Sequence, residues 1–208
     1  MLHVVPTADD ANADLSVNQM TIAPAETASF RAILRDATRP RHDETDHTFS
    51  LLDLSSRKGL GTFLAASLIA LGSLEERLSN AEGLPPLPPR LPLLAADLAD
   101  LGLPLPEAAR GELSAHDPLG LAYVVGGSSL GTRVLRQRWQ SADDPIVAKA
   151  GRYLSDGRIG LYWKELRDHH LTRPADPTRI AGVVTAANAA FDIYRLALRR
   201  AASEVAHG

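Results

Sequence analysis

The stretch GLGTFLAASLIALGSLEERL, residues 59–78, is apolar on nearly every side through its middle. A helix without a polar face belongs inside a core. The segment therefore predicts a central helix running to about Ser79, with Ser55 or Ser56 as its cap. N-terminal to it, Phe30, Ile33, Leu34 and Ala37 recur at three and four residues, which predicts a helix with one buried stripe from Thr27 onward. Pro40 interrupts that pattern and should kink the helix or begin a second segment, because its ring clashes with the preceding turn. Residues 1–26 have low hydrophobicity and no sustained period, as expected of a mobile tail.

C-terminal to the central segment, GLPPLPPRLP (Gly83–Pro92) predicts a stiff extended connection. LLAADLADLG then reads as a short amphipathic helix stopped by Gly102 and Pro104. A long helix is expected from about Pro118 to Trp139, and another from an Asp143 or Asp144 cap to about Ser155. Two more are expected near Ile159–His170 and from about Pro177 to Ala206. No segment alternates as a strand would, and nothing repeats. The fold class is therefore all-α, a single-domain multi-helix bundle over residues 27–208.

Composition narrows the function. The chain has 208 residues, 45% hydrophobic and 23% charged, with a net charge of -3, so it lacks the basic excess that holds a nucleic acid. It has no cysteine, which excludes disulfides, thiolate metal ligation, Cys-held iron–sulfur clusters and a Cys nucleophile. The N-terminus shows neither the basic nor the apolar region of a secretory signal, and the apolar run Phe63–Leu74 is too short to span a bilayer. A cytoplasmic protein without membrane partners is expected.

Two segments can carry chemistry. In RDATRPRHDETDH, His42 and Asp46 are four residues apart and share one helix face. An imidazole that ligates a metal through one nitrogen needs its other N–H held, and a carboxylate one turn away can hold it. Arg35, Arg39 and Arg41 surround this pair and suit acidic groups on a ligand. The plain alternative is a solvated, charged helix, and spacing leaves both open.

In YVVGGSSLGTRVL, Gly126, Gly127 and Gly131 lie inside a helix, where each costs about 1 kcal/mol relative to Ala. Gly127 and Gly131 expose bare backbone on one face, against which a flat ligand or another helix can lie. Ser128, Ser129 and Thr132 can bond backbone carbonyls or water. Glu44-x-x-His47 is one half of a dinuclear-iron pattern, but no second Glu-x-x-His occurs, and His169 and His170 follow Glu165 at the wrong offset. His3, His116 and His207 are expected to be solvated. GLGTF follows no strand, so no nucleotide fingerprint is present.

Together these residues resemble the haem oxygenase family. Leu34-Arg35-Asp36-Ala37-Thr38 leading to His42 is similar to the family's proximal helix, and Phe63–Glu75 to the helix after it. Gly127-Ser128-Ser129-Leu130-Gly131 resembles the distal Gly-x-x-x-Gly, and AANAAFDIYRLAL the C-terminal helix. The likeness spans about Phe30 to Leu198 and looks most like bacterial members, including those encoded beside bacteriophytochromes.

The resemblance implies haem as both substrate and cofactor, oxidised with O2 and external electrons to biliverdin, CO and ferrous iron. It implies His42 as proximal iron ligand, Asp46 as the carboxylate orienting it, Arg35 and Arg39 near the haem edge, and Arg167 toward a propionate. Gly127 and Gly131 would cover the distal face, with Tyr123 and Phe191 as further haem-contacting residues. Ser128 stands where many members carry an aspartate that supports proton delivery. The implied partners are an external reductase or ferredoxin-like donor and, for bilin supply, a photoreceptor. A haem carrier or sensor on the same bundle is the alternative, followed by a dinuclear non-haem iron oxidase.

Overall fold

The computed structural model describes residues 28–107, 113 and 115–207, so the 1–26 tail lies outside it, as do the side chains of Ser129 and Thr132. The helices are α1 (Phe30–Ser50), α2 (Arg57–Ser79), α3 (Leu91–Asp100), α4 (Pro118–Gln140), α5 (Pro145–Lys149), α6 (Arg152–Ser155), α7 (Arg158–Leu166) and α8 (Ile180–His207). A π-helical turn, Arg167–Leu171, continues α7. Among the described residues the only β feature is an isolated bridge between Ser29 and Pro174. The all-α expectation holds.

The segment 59–78 forms α2, which is buried from Gly59 to Leu74 at almost every position. Ser56 caps it, its Oγ accepting the Gly59 N–H at 3.0 Å. The second axis of the bundle is α8, which packs along α2, α4 and α1. Small buried residues on α8, among them Ala186, Ala187, Ala190 and Ala197, allow close approach. The crossing with α4 is closest at Gly120, where a Cβ would lie 2.2 Å from the Val183 carbonyl oxygen.

Several local expectations change. Helix α1 runs unbroken through Pro40. Proline removes the donor for the Asp36 carbonyl, but Asp36 and Pro40 are both exposed, so water can serve that group. The buried stripe of α1 is Phe30, Leu34, Thr38 and Thr45, and Ala37 is exposed. The threonines enter the core because their hydroxyls donate to the Leu34 and Arg41 carbonyls, each at 2.7 Å.

The helix expected from Asp144 to Ser155 is broken at Ala150–Gly151 into α5 and α6. The Trp139 indole fills that corner, 2.0 Å from where a Gly151 Cβ would be, and its Nε1 donates to the Val147 carbonyl at 2.7 Å. No described helix is long and apolar enough to cross a membrane.

Candidate functional site

Helices α1 and α4 both pack on α8, yet among the described residues they make at most a marginal contact with each other. A cavity of about 640 Å³ opens between them, within the range of small-molecule sites. Its walls come from α1, α2, α4 and α8, with Tyr153 of α6 and Trp163 of α7.

On α1, His42 lines this cavity while its side chain remains 51% exposed. The Nδ1 atom lies 3.6 Å from Asp46 Oδ2 and 3.6 Å from Asp43 Oδ1, leaving Nε2 as the nitrogen turned from both carboxylates. The ring is steadied from α8 by Phe191, edge to face at 5.6 Å between centroids. Arg35 and Arg39 line the same cavity and share Asp36, at 3.0 and 3.7 Å. Arg41 points instead to Asp192 of α8.

On α4 the glycines divide by role. A Cβ on Gly126 would meet Trp163 at 3.0 Å and Tyr162 at 3.2 Å, so Gly126 serves helix packing. A Cβ on Gly127 would stand 3.8 Å from Trp163, and one on Gly131 would meet nothing within 4 Å among the described residues. Gly127, Ser128 and Gly131 all line the cavity, and the Ser128 hydroxyl donates to the Val125 carbonyl at 2.7 Å. Bare backbone therefore faces open space one turn along the helix from where it supports packing. Tyr123 lines the cavity beside Trp163, with ring centroids 5.9 Å apart. Burial pushes its phenol up, against a Thr38 hydrogen bond and the charges of Arg31 and Arg35.

Sequence reasoning missed part of this wall. Arg31 extends the Arg35–Arg39 row by one turn, a spacing visible in the sequence. Tyr153 and Tyr194 had no local signal. Tyr194 is buried at the cavity wall and its hydroxyl has no hydrogen-bond partner among the described residues. Arg90 is fully buried, its guanidinium 4.0 Å from the Tyr153 ring centroid.

No protein-family model matches the chain, and no curated protein matches it significantly. Its fold is similar to that in the crystal structures of the NO- and CO-bound haem oxygenase from Neisseria meningitidis. The TM-score is 0.71 at 22% identity, covering 84% of this chain and 92% of that one. The chain has a haem oxygenase fold.

Within this haem oxygenase fold, the remaining candidates stand away from the cavity. Arg167 does not line it and donates to its neighbour Asp168 at 2.7 Å. Glu44 is ion-paired with Arg195, and the described residues contain no group of three His, Asp or Glu able to hold a metal. His116, expected to be solvated, is half-buried, with its Nδ1 enclosed and without a hydrogen-bond partner among the described residues. Arg77 fastens that corner by donating to the Leu113 and His116 carbonyls, each at 3.2 Å.

Proposed function

We propose that the chain is a haem oxygenase, cleaving haem with O2 and external electrons to biliverdin, CO and ferrous iron. The observation that carries this reading is one cavity bounded by the His42 imidazole on α1 and the uncovered Gly131 backbone on α4. Haem, as substrate and cofactor, supplies the iron that activates dioxygen and the ring that is opened.

The residues present suit that group. His42 supplies a neutral nitrogen ligand, with its other nitrogen beside carboxylates. Arg31, Arg35 and Arg39 form a row suited to two propionates. Phe49, Phe63, Phe191 and Trp163 give the apolar walls a macrocycle needs, and the buried Tyr194 hydroxyl, at the cavity wall, has no hydrogen-bond partner among the described residues. Gly127 and Gly131 keep the wall low, so a bound gas has room and water can be held against backbone carbonyls. Electrons come from a reductase or ferredoxin-like partner in the cytoplasm. A bilin-binding photoreceptor would take the product if the purpose is bilin supply.

One observation favours a second reading, a haem carrier or sensor. The cavity's carboxylates among the described residues, Asp43 and Asp46, both stand beside His42, and Ser128 offers no acid on the α4 wall. Haem, a chemical reductant and air separate the readings. Decay of the Soret band with growth of a biliverdin spectrum supports the enzyme. A persistent haem spectrum overturns it in favour of the carrier. His42→Ala should lose histidine-type ligation, and an unchanged spectrum in that variant would refute the ligand assignment.

A further inference from the structure

A single carboxylate one turn from His42 was expected from the sequence, but two converge on the ring. Asp43 Oδ1 and Asp46 Oδ2 lie at the same 3.6 Å from Nδ1, one from the next residue and one from the next turn. Each is just beyond hydrogen-bond length, and a small rotation of either short side chain closes the gap. Their positions around the helix differ, so they reach the nitrogen from different sides.

The neighbouring charges explain why both are available. Asp36 holds Arg35 and Arg39, Glu44 holds Arg195, and Arg41 is taken by Asp192. Among the described residues, neither Asp43 nor Asp46 has a Lys or Arg within ion-pair distance. The pairs to Asp192 and Arg195 also tie this turn of α1 to α8, from which Phe191 meets the imidazole edge. The ring's tilt is thereby restrained from one side while its Nδ1 edge faces two acceptors.

We infer that Asp43 is a second positioning residue for His42, sharing the Nδ1–H with Asp46 so that either carboxylate alone keeps the imidazole oriented. The consequence is redundancy. An imidazole with one acceptor loses its tautomer and orientation when that acceptor goes, whereas this one loses them only when both go.

The first test needs no haem. Long-range 15N NMR of the apo chain at alkaline pH reads which nitrogen of His42 carries the proton. The parent, Asp43→Ala and Asp46→Ala should each keep mainly the Nδ1–H form. The double variant should revert to the Nε2–H form that dominates free histidine. Both side chains are at least 70% exposed, so the fold should survive, and a matching amide spectrum verifies it.

The second test rests on the haem reading proposed above. In the ferrous haem complex, the iron–histidine stretching band should shift little in either single variant and fall clearly in the double. Haem dissociation should quicken by about tenfold or more only in the double variant. Reversion of the tautomer in Asp46→Ala alone would overturn the inference, because Asp43 would then contribute nothing. Retention of the Nδ1–H form in the double variant would overturn it too. A chain that passes the tautomer test but binds no haem would leave this pairing intact and refute only the haem reading.

Discussion

His42 on α1 and Phe191 on α8 meet edge to face, with ring centroids 5.6 Å apart and planes at 79°. Two chain segments remote in sequence thus set the orientation of one imidazole, and the Arg41–Asp192 and Arg195–Glu44 pairs flank the contact. An edge-to-face pair adds about 1 kcal/mol beyond area burial. The Phe191 ring, only 6% exposed, also fills core volume.

Phe191→Ala should therefore destabilise the fold by about 3 kcal/mol and, in the haem-loaded protein, quicken haem loss roughly fivefold. Phe191→Leu restores most of the volume without the ring, so it should recover stability and keep the faster haem loss. Denaturant midpoints and haem transfer to an apo-globin acceptor measure the two effects. Equal haem loss in the parent and Phe191→Leu would show that the ring contact does not steady His42.

The glycines of α4 should respond in opposite directions. A methyl at Gly131 meets nothing within 4 Å, so Gly131→Ala should gain up to about 1 kcal/mol from helix propensity. At Gly126 the same methyl is pressed to 3.0 Å from Trp163 and 3.2 Å from Tyr162, so Gly126→Leu should lose about 2 kcal/mol or more to overpacking. Gly131→Phe should fold normally but fill the cavity and abolish haem turnover. Thermal melts and single-turnover assays distinguish these outcomes, and a Gly131→Phe variant with unaltered turnover would contradict the placement of that wall.

Acid stability should depend on Asp117. Its side chain accepts the Leu119 N–H at 2.9 Å as the cap of α4 and pairs with Arg179. Burial alone would push this carboxyl up, but the Arg179 guanidinium and the cap N–H outweigh burial and hold it below its ordinary value. A carboxylate lowered on folding contributes stability above its unfolded pKa and loses it as pH falls through the folded one. Asp117→Asn keeps a good helix cap but removes the charge. The stability difference between parent and variant should therefore be full near neutrality and vanish below the normal carboxylate range. A difference that is independent of pH would refute this linkage.

The legibility of the chain followed the range of the forces involved. Helix α2 could be read because nearly every residue through its middle favours the interior, and the caps at Ser56 and Asp144 because each is a local hydrogen bond. His42, Asp46, Gly127 and Gly131 were visible because four-residue spacing places each pair on a shared helix face. The break at Gly151 was not, since it depends on Trp139 arriving from another helix. Tyr153, Tyr194 and buried Arg90 were hidden for the same reason, their environment being assembled from segments distant in sequence. The split between Gly126 and Gly131 depends on where α7 crosses α4, which no glycine pattern encodes.

The same long-range assembly makes Asp97 a decisive residue far from the ligand wall. Its side chain is fully buried and accepts the Arg152 N–H at 3.1 Å, the Arg152 guanidinium at 3.0 Å and the Tyr153 N–H at 2.8 Å. These bonds hold the first turn of α6, and through it they set Tyr153 against Arg90 on one side and the cavity on the other. Arg152 is 42% exposed and also bonds Asp100, so its charge is not stranded when Asp97 is removed. The cost instead comes from the two backbone N–H groups left without their acceptor. Asp97→Ala should lose about 3 kcal/mol, and Asp97→Asn, which keeps one acceptor, roughly half of that. Both variants should weaken haem retention by loosening the Tyr153 wall, although neither change touches the cavity itself. An Asp97→Ala protein within about 0.5 kcal/mol of the parent would show that α6 is held by packing alone.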